Sequence, residues 1–557
     1  MRLLSWPSIT QLLLAPLVVG ARASEYNDYS ENLLLKSLPG NSILASFRFV
    51  SNGTFDSHHS VFPRSLAQIL QQSQTKELHL KFTLGRWDAE QWGRQVWDGR
   101  TAGGTGVELW AWVEAADDSE ADARWTTLNN ALSGLFCASL NFIDSTRTIR
   151  PVMSFQPAGH HSPESLERLH LLHGTLPREP VCTENLTPFL KLLPCKGKAG
   201  ISSLLDGHRL FDAQWQSMSI DVKPVCEESG KCQLQMEQTK PYAGGDSCFP
   251  LSGVTDLPWS LSEMFGRPIR GSCPLAVVPT EEATHVCVNI AEQRSIFVSQ
   301  GSEERKKSPE LRCFILHENL DFDIVLPELS PSTNILLTPP PVYASRSLTG
   351  HGQERGGIQA VLNNPSSNST VEFVYLESLP WFMKPYLHTL SVTISVKANR
   401  NIVQDIYYRP ALDRKRGTQL EVRLRVPPGE TVLLNYEFEK AVLRYTEYPP
   451  DANRGFDIAP AIISILDPTS QKSTFSIRTT SLLLSLPTPD FSMPYNVIIL
   501  TSTVMALAFG SIFNILVRRF VGADEVIGGS LISKIRGHIM AFAAKRRRVG
   551  GSKPKTE

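Results

Sequence analysis

Short bursts of alternating apolar and polar residues dominate the chain. Leu78, Leu80, Phe82 and Leu84 alternate with polar neighbours, which predicts a half-buried strand. Val107, Leu109, Ala111 and Val113 alternate again, but Trp110 and Trp112 put bulk on the opposite face. That pattern predicts a central strand, or one covered by a second layer. Helical spacing is confined to Arg64–Gln72 and Thr126–Leu140 in this first region. From about residue 215 the pattern is short strands divided by Pro, Gly and cysteine-bearing loops. The stretch 370–485 is almost purely two-periodic. Leu390, Val392, Ile394 and Val396 form one set; Leu420, Val422, Leu424 and Val426 form another; Pro427-Pro428-Gly429-Glu430 turns the chain and Val432–Phe438 returns. Closely spaced strands with little helix predict a β-sandwich. The fold class is therefore mainly β with some helix, and no period of solenoid length recurs.

The two ends break this pattern. Arg2, the apolar run Leu12–Val19 and Ala21-Arg22-Ala23 have the order of a secretory signal peptide, removed after residue 23. The alternative is an uncleaved anchor, but the run is too short to span a bilayer. Tyr495–Val517 carries no charge over 23 residues. As a helix it is about 35 Å long, enough for a hydrocarbon core of about 30 Å. Arg518 and Arg519 follow at once. Residues 518–557 hold ten Lys and Arg against three acids, whereas none of either cation occurs between Thr479 and the span. The positive-inside rule therefore predicts a cytosolic basic tail and a lumenal bulk. A GPI-attachment signal would end with its apolar run, and here 40 residues come after it. Within the span Ser502, Ala506, Gly510 and Asn514 recur every four residues. They share one face, suited to close packing against a partner helix. The expected organisation is signal peptide 1–23, a mixed α/β N-terminal region 24–326 with disulfides, a Pro- and Gly-rich linker 327–357, a β-sandwich 358–486, a stalk 487–494, the span 495–517 and the tail 518–557.

Charge is balanced, with 55 basic and 55 acidic residues, so no global field points to nucleic acid. Lys545-Arg546-Arg547-Arg548 behind a span suits anionic lipid or a topology signal better than nuclear import. All nine cysteines (137, 182, 195, 226, 232, 248, 273, 287 and 313) precede the span. An oxidising compartment predicts disulfides, and an odd number leaves at least one thiol unpaired or joined to another chain. Cys226 and Cys232 are close enough to staple a local loop; spacing leaves the other pairings open. For Cys182 spacing alone favours a local bridge to Cys195. Sequons at Asn52, Asn185 and Asn368 mark candidate glycosylated surface loops.

Catalytic motifs are missing: no G-x-S-x-G, H-E-x-x-H or Walker loop occurs. Gly103-Gly104-Thr105-Gly106 precedes a strand rather than a helix, so it reads as a turn and not a phosphate loop. His170 and His173 could share a helical face, and His160-His161 are adjacent, but neither pair has a third ligand nearby. Trp87, Trp92 and Trp97 read first as core filling and second as a partner surface. No metal or cofactor is expected.

Several longer strings carry more information. LHLKFTLGRWDAEQWG from Leu78, GVELWAWV from Gly106, LSGLFCASLNFID from Leu132, VCTENLTPFLKLLPCKGKAGISSLL within Pro180–Val222, and YNVIIL at the start of the span resemble the PIG-T family along essentially the whole chain. The resemblance implies a non-catalytic subunit of the endoplasmic reticulum GPI transamidase. The catalytic Cys–His pair would then lie on the caspase-like PIG-K, with PIG-S, PIG-U and the GAA subunit as further partners, and with membrane lipid and GPI as surroundings. It also implies that the cysteine of VCTENLTP, here Cys182, bonds to the catalytic subunit, which reverses the preference for Cys195. Pro180, Pro188 and the Asn185 sequon would frame Cys182 as part of an exposed loop. A lumenal hydrolase and a cell-surface adhesion protein are the competing classes.

Overall fold

The computed structural model describes residues 28–39, 42–53, 61–226, 232–244, 259–276, 283–290, 296–299, 303–308, 311–317, 320–326, 337–350, 352–394, 397–398, 402–487, 492–518 and 531–549. The signal-peptide segment, Val396 and Cys248 lie outside the described residues. The chain forms two compact units, the first reaching Pro487 and the second beginning at Thr488.

The first unit opens with an eleven-stranded sheet. Its spatial order is Glu303–Ser308, Leu311–Ile315, Thr284–Asn289, Tyr29–Leu38, Ser42–Gly53, Cys232–Gly244, Trp215–Cys226, Thr75–Gly85, Gly106–Glu114, Leu169–Leu176 and Thr148–Ile149. Neighbours pair antiparallel, except that Tyr29–Leu38 runs parallel to Thr284–Asn289. One face carries Leu33, Phe47, Leu80, Leu109, Met218 and Met236, and the helices Arg64–Gln72, Asp118–Phe136 and Thr183–Leu192 bury against it.

The first helix has the expected bounds, and Gly106–Glu114 is central as its two bulky faces imply. The second helix starts eight residues before Thr126, at Asp118, with Asp117 capping it by accepting from the Glu120 N–H. It stops at Phe136 because Cys137 turns left-handed, at φ 51°. The early turns were hidden by their polarity: only Ala121 and Trp125 face inward there.

Thr75–Gly85 departs from expectation. Its second face was expected in water, yet Glu77, His79, Lys81 and Thr83 are 0, 7, 1 and 2% exposed, while Leu84 is the exposed one. A second layer of protein covers this face, so a strand read as half-buried is buried on both sides. Likewise Trp215–Cys226 and Cys232–Gly244 are long strands of 12 and 13 residues, where short ones were expected.

Two five-stranded antiparallel sheets follow and form the expected sandwich. One holds Tyr343–Thr349, Arg355–Asn363, Thr431–Lys440, Met383–Ile394 and Lys397–Ala398; the other holds Val403–Arg409, Thr418–Val426, Val371–Leu379, Ile462–Leu466 and Ser473–Arg478. Ile358, Phe373, Tyr375, Val422, Leu434 and Phe438 fill the space between them. The strand Tyr343–Thr349 lies inside the stretch expected as linker. The proline run 339–341 ends just before it, and Pro breaks a ladder only where it sits.

Inside the sandwich an ion pair is fully buried. Arg346 donates to the Glu377 carboxylate at 2.7 Å and to the Ala459 and Thr480 carbonyls. Tyr375 donates its hydroxyl to the same carboxylate. Among the described residues three disulfides tie the first region: Cys195–Cys273, Cys226–Cys232 and Cys287–Cys313. The second is the local staple expected from spacing. The first removes Cys195 as a partner for Cys182, so the local Cys182–Cys195 bridge is not formed.

The second unit contains the helix Ser492–Val517, of which Tyr495–Val517 is long and apolar enough to cross a membrane. A further helix, Leu531–Val549, lies within the basic tail.

Candidate functional site

The polar face of the large sheet is the chemical centre of the first unit. His79 sits between two carboxylates, with Nδ1 2.6 Å from Asp221 and Nε2 3.1 Å from Glu77. Burial opposes charge on the ring, but the hydrogen bonds to Asp221 and Glu77 outweigh it and raise its pKa. Burial likewise works against the Glu77 anion. Donors from His161 and His79, with the Ala158 N–H, overcome it and bring the carboxyl down to about 2. Glu108 pairs with Arg478 at 2.9 Å and approaches His173 at 3.3 Å. Burial opposes its charge too, and Arg478 and then His173 hold it well below the usual carboxylate range.

These groups bind one segment to both cores. Glu77 accepts from the Ala158 and Gly159 N–H groups and from His161. Five residues earlier on the same strap, the sandwich residue Glu421 accepts from the Val152, Met153 and Ser154 N–H groups and from the Ser154 hydroxyl, at 2.7–2.9 Å. Gln419 holds both the N–H and the carbonyl of Arg150. A strap from 150 to 161 is thus clasped by one carboxylate of each core, and Glu108–Arg478 closes the same seam directly.

Histidines expected on a helix belong here. His170 and His173 lie on the strand Leu169–Leu176, where a separation of three points them to opposite faces. His170 meets Asp118 and Arg150, and His173 meets Glu108. No group of three metal-capable side chains occurs among the described residues. Trp87 and Trp92 are core-filling, packed with Trp215 at about 5 Å. Trp97 goes elsewhere: in a left-handed conformation it lies under Arg48 and donates to Ser46. Gly103 and Gly104 form a close-contact seam, where an added Cβ would meet Lys81 at 2.9 Å and Pro460 at 2.6 Å.

The Cys182 region is a second candidate. Cys182 is the N-cap of Thr183–Leu192, half-buried and free; Cys137, at the end of the neighbouring helix, is free and exposed. Asn185 locks these two ends together. Its carbonyl oxygen accepts from the Cys182 N–H at 2.9 Å, and its amide donates to the Phe136 carbonyl at 3.0 Å. Asn185 is 2% exposed. The Asn185 sequon was expected in an exposed loop; it lies instead in a capping box, and Pro188 lies inside the helix. Asn368 is exposed in a loop, and Asn52 lies on a strand, accepting from Gln235.

Ser502, Ala506, Gly510 and Asn514 are exposed on the apolar helix, and a Cβ at Gly510 would meet nothing within 4 Å. Within its own unit that stripe is therefore open to another helix.

Comparison with known proteins matches these features to one family. The model of the Gpi16 subunit, a GPI transamidase component, matches residues 11–240 and 237–540. The chain is 39% identical to the GPI transamidase component GPI16 of Saccharomyces cerevisiae, over 97% of this chain and 96% of that one. It is 38% identical to the PIG-T homolog of Schizosaccharomyces pombe, over 88% and 90% of the two chains. It is 33% identical to the human GPI-anchor transamidase component PIGT, over 91% and 94%.

Proposed function

Because the chain belongs to the Gpi16 family of GPI transamidase components, we propose that it is a non-catalytic scaffold subunit of that enzyme, single-pass in the endoplasmic reticulum membrane with its first unit lumenal. The observation that carries this reading is a free Cys182 beside a Cys195 already committed to Cys273. An oxidising lumen leaves such a thiol available for a bond between chains. The partner is the caspase-like catalytic subunit, PIG-K in the family, with PIG-S, PIG-U and the GAA subunit completing the assembly. A bond between chains makes the remaining contacts intramolecular and raises their effective concentration. It therefore strengthens an assembly that packing already holds.

On a non-reducing gel the chain is expected to run with the catalytic subunit as one band at their summed mass. Cys182→Ser removes that band and leaves complex recoverable in mild detergent. Cys137→Ser leaves the band in place. A summed-mass band that persists in the Cys182→Ser variant places the link on another cysteine and overturns this assignment.

The membrane helix contributes through its small-residue stripe. Close approach at Gly510 allows Ser502 or Asn514 to hydrogen-bond across the contact, worth about 0.5–2 kcal/mol. Gly510→Leu is expected to lower recovery of multi-span partners several-fold in harsh detergent, with insertion unchanged. Equal recovery of the variant would rule out packing on this face.

A further inference from the structure

The tail helix Leu531–Val549 presents an apolar stripe that nothing among the described residues covers. Ile535, Ile539 and Phe542 fall at i, i+4 and i+7, so they share one face. They are 54, 63 and 74% exposed. Lys534 and Arg536 stand about 100° to either side of Ile535 around the helix axis. There their long stems can lie along an apolar surface while the charges stay out of it. In water a helix of 19 residues with Gly537 inside it is marginal, because most helical stability comes from packing an amphipathic face.

The stripe is too short to be a second span. Lys534, Arg536 and Lys545 leave only 537–544 free of Lys and Arg, against about 20 residues for a crossing. The charge around it has one sign: between Glu525 and Glu557 there are eight Lys and Arg and no acid. Thirteen residues, 518–530, separate the helix from Val517, where the segment able to cross a membrane ends. That tether holds the stripe beside a bilayer at high effective concentration, so even a narrow stripe can engage it.

We propose that Leu531–Val549 lies flat on the anionic headgroup surface of the bilayer on the tail side, with Ile535, Ile539 and Phe542 sunk below the headgroups. An apolar stripe with basic flanks is the pattern of an interfacial helix. With the first unit lumenal, the tail meets the cytosolic leaflet, whose acidic lipids attract a basic segment beside a span. A protein groove is the less favoured cover. It would have to carry complementary acidic charge within reach of the same tether, whereas the bilayer meets both conditions wherever the span is inserted.

The proposal rests on the span crossing the bilayer and not on the subunit role, so its failure leaves the Cys182 link untouched. The full chain is reconstituted in nanodiscs of phosphatidylcholine alone or with added phosphatidylserine, and hydrogen–deuterium exchange is followed in peptides covering 531–549. With phosphatidylserine the helix amides are expected to exchange at least about tenfold more slowly than in phosphatidylcholine, and raised ionic strength should remove most of the difference. Ile535→Ala/Ile539→Ala/Phe542→Ala keeps every charge and improves helix propensity, so faster exchange in this variant reports the lost stripe and not a weaker helix. K545Q/R546Q/R547Q/R548Q should bring exchange in the two lipids together. Protection that is missing with phosphatidylserine, equal in the two lipids, or kept by either variant overturns the assignment. Protection that appears only when the other transamidase subunits are added gives the stripe to a protein and overturns it as well.

Discussion

Glu377→Ala is expected to destabilise the first unit by about 3–5 kcal/mol, because it strands a buried guanidinium. Arg346 and Glu377 are both fully buried in the sandwich, and Tyr375 also donates to the carboxylate. Removing the anion leaves Arg346 with two backbone carbonyls as its remaining acceptors, and it cannot shed its proton to escape. The double variant Arg346→Met/Glu377→Leu should recover much of that loss, since an apolar pair of similar volume carries no desolvation cost. Chemical unfolding of the detergent-solubilised chain, followed by tryptophan emission, measures both. A single variant within about 1 kcal/mol of wild type would show that the pair is not electrostatically isolated.

Glu77→Ala is expected to release the strap at residues 158–161, with a loss of similar size. Two backbone N–H groups and two imidazoles lose their acceptor together. The sign of the pH dependence follows from the shifts. Glu77 is depressed to about 2, so its contribution is full above the unfolded value near 4.5 and is lost as pH falls toward 2. His79 is raised above 6.5, so its contribution is full below that value and is lost as pH rises through its folded pKa. The clasp is therefore strongest between about pH 4.5 and 6.5. The stability gap between wild type and Glu77→Gln should hold at pH 5.5 and shrink between pH 4.5 and 2.5, and limited proteolysis should cut the variant within 150–161. A gap that stays constant down to pH 2.5 would deny Glu77 its role as an anion.

Local periodicity made most of the elements legible. Arg64–Gln72, the central position of Gly106–Glu114 and the sandwich strands were all written in apolar spacing. Pairing over long separations was not. Glu108 and Arg478 are 370 residues apart, and Glu421 reaches the strap from 267–269 residues away. Glu77, His79 and Lys81 have the spacing of a solvent face, and nothing local distinguishes a charge facing water from one facing a partner. The usable clue lay on the next strand. Trp110 beside Val107–Val113 already demanded cover on both faces, and the strand hydrogen-bonded to it must share that cover. Asn185 misled differently: N-x-T marks a surface sequon, but N3 of a helix uses the same side chain to hold the cap.

Among the described residues the sheet of eleven strands ends in two rims, and the rims of an open sheet recruit strands from neighbouring chains. Here one rim is Thr148–Ile149, two residues long, and the other is Glu303–Ser308, with the sequence EERKKS. The first is too short to template a ladder. In the second the register with its neighbour shifts between Lys306 and Ser308, a bulge of the kind that twists an edge away from a partner. A membrane protein whose copies are concentrated in one bilayer is exposed to such side-by-side polymerisation more than a dilute soluble one. These rims guard against it.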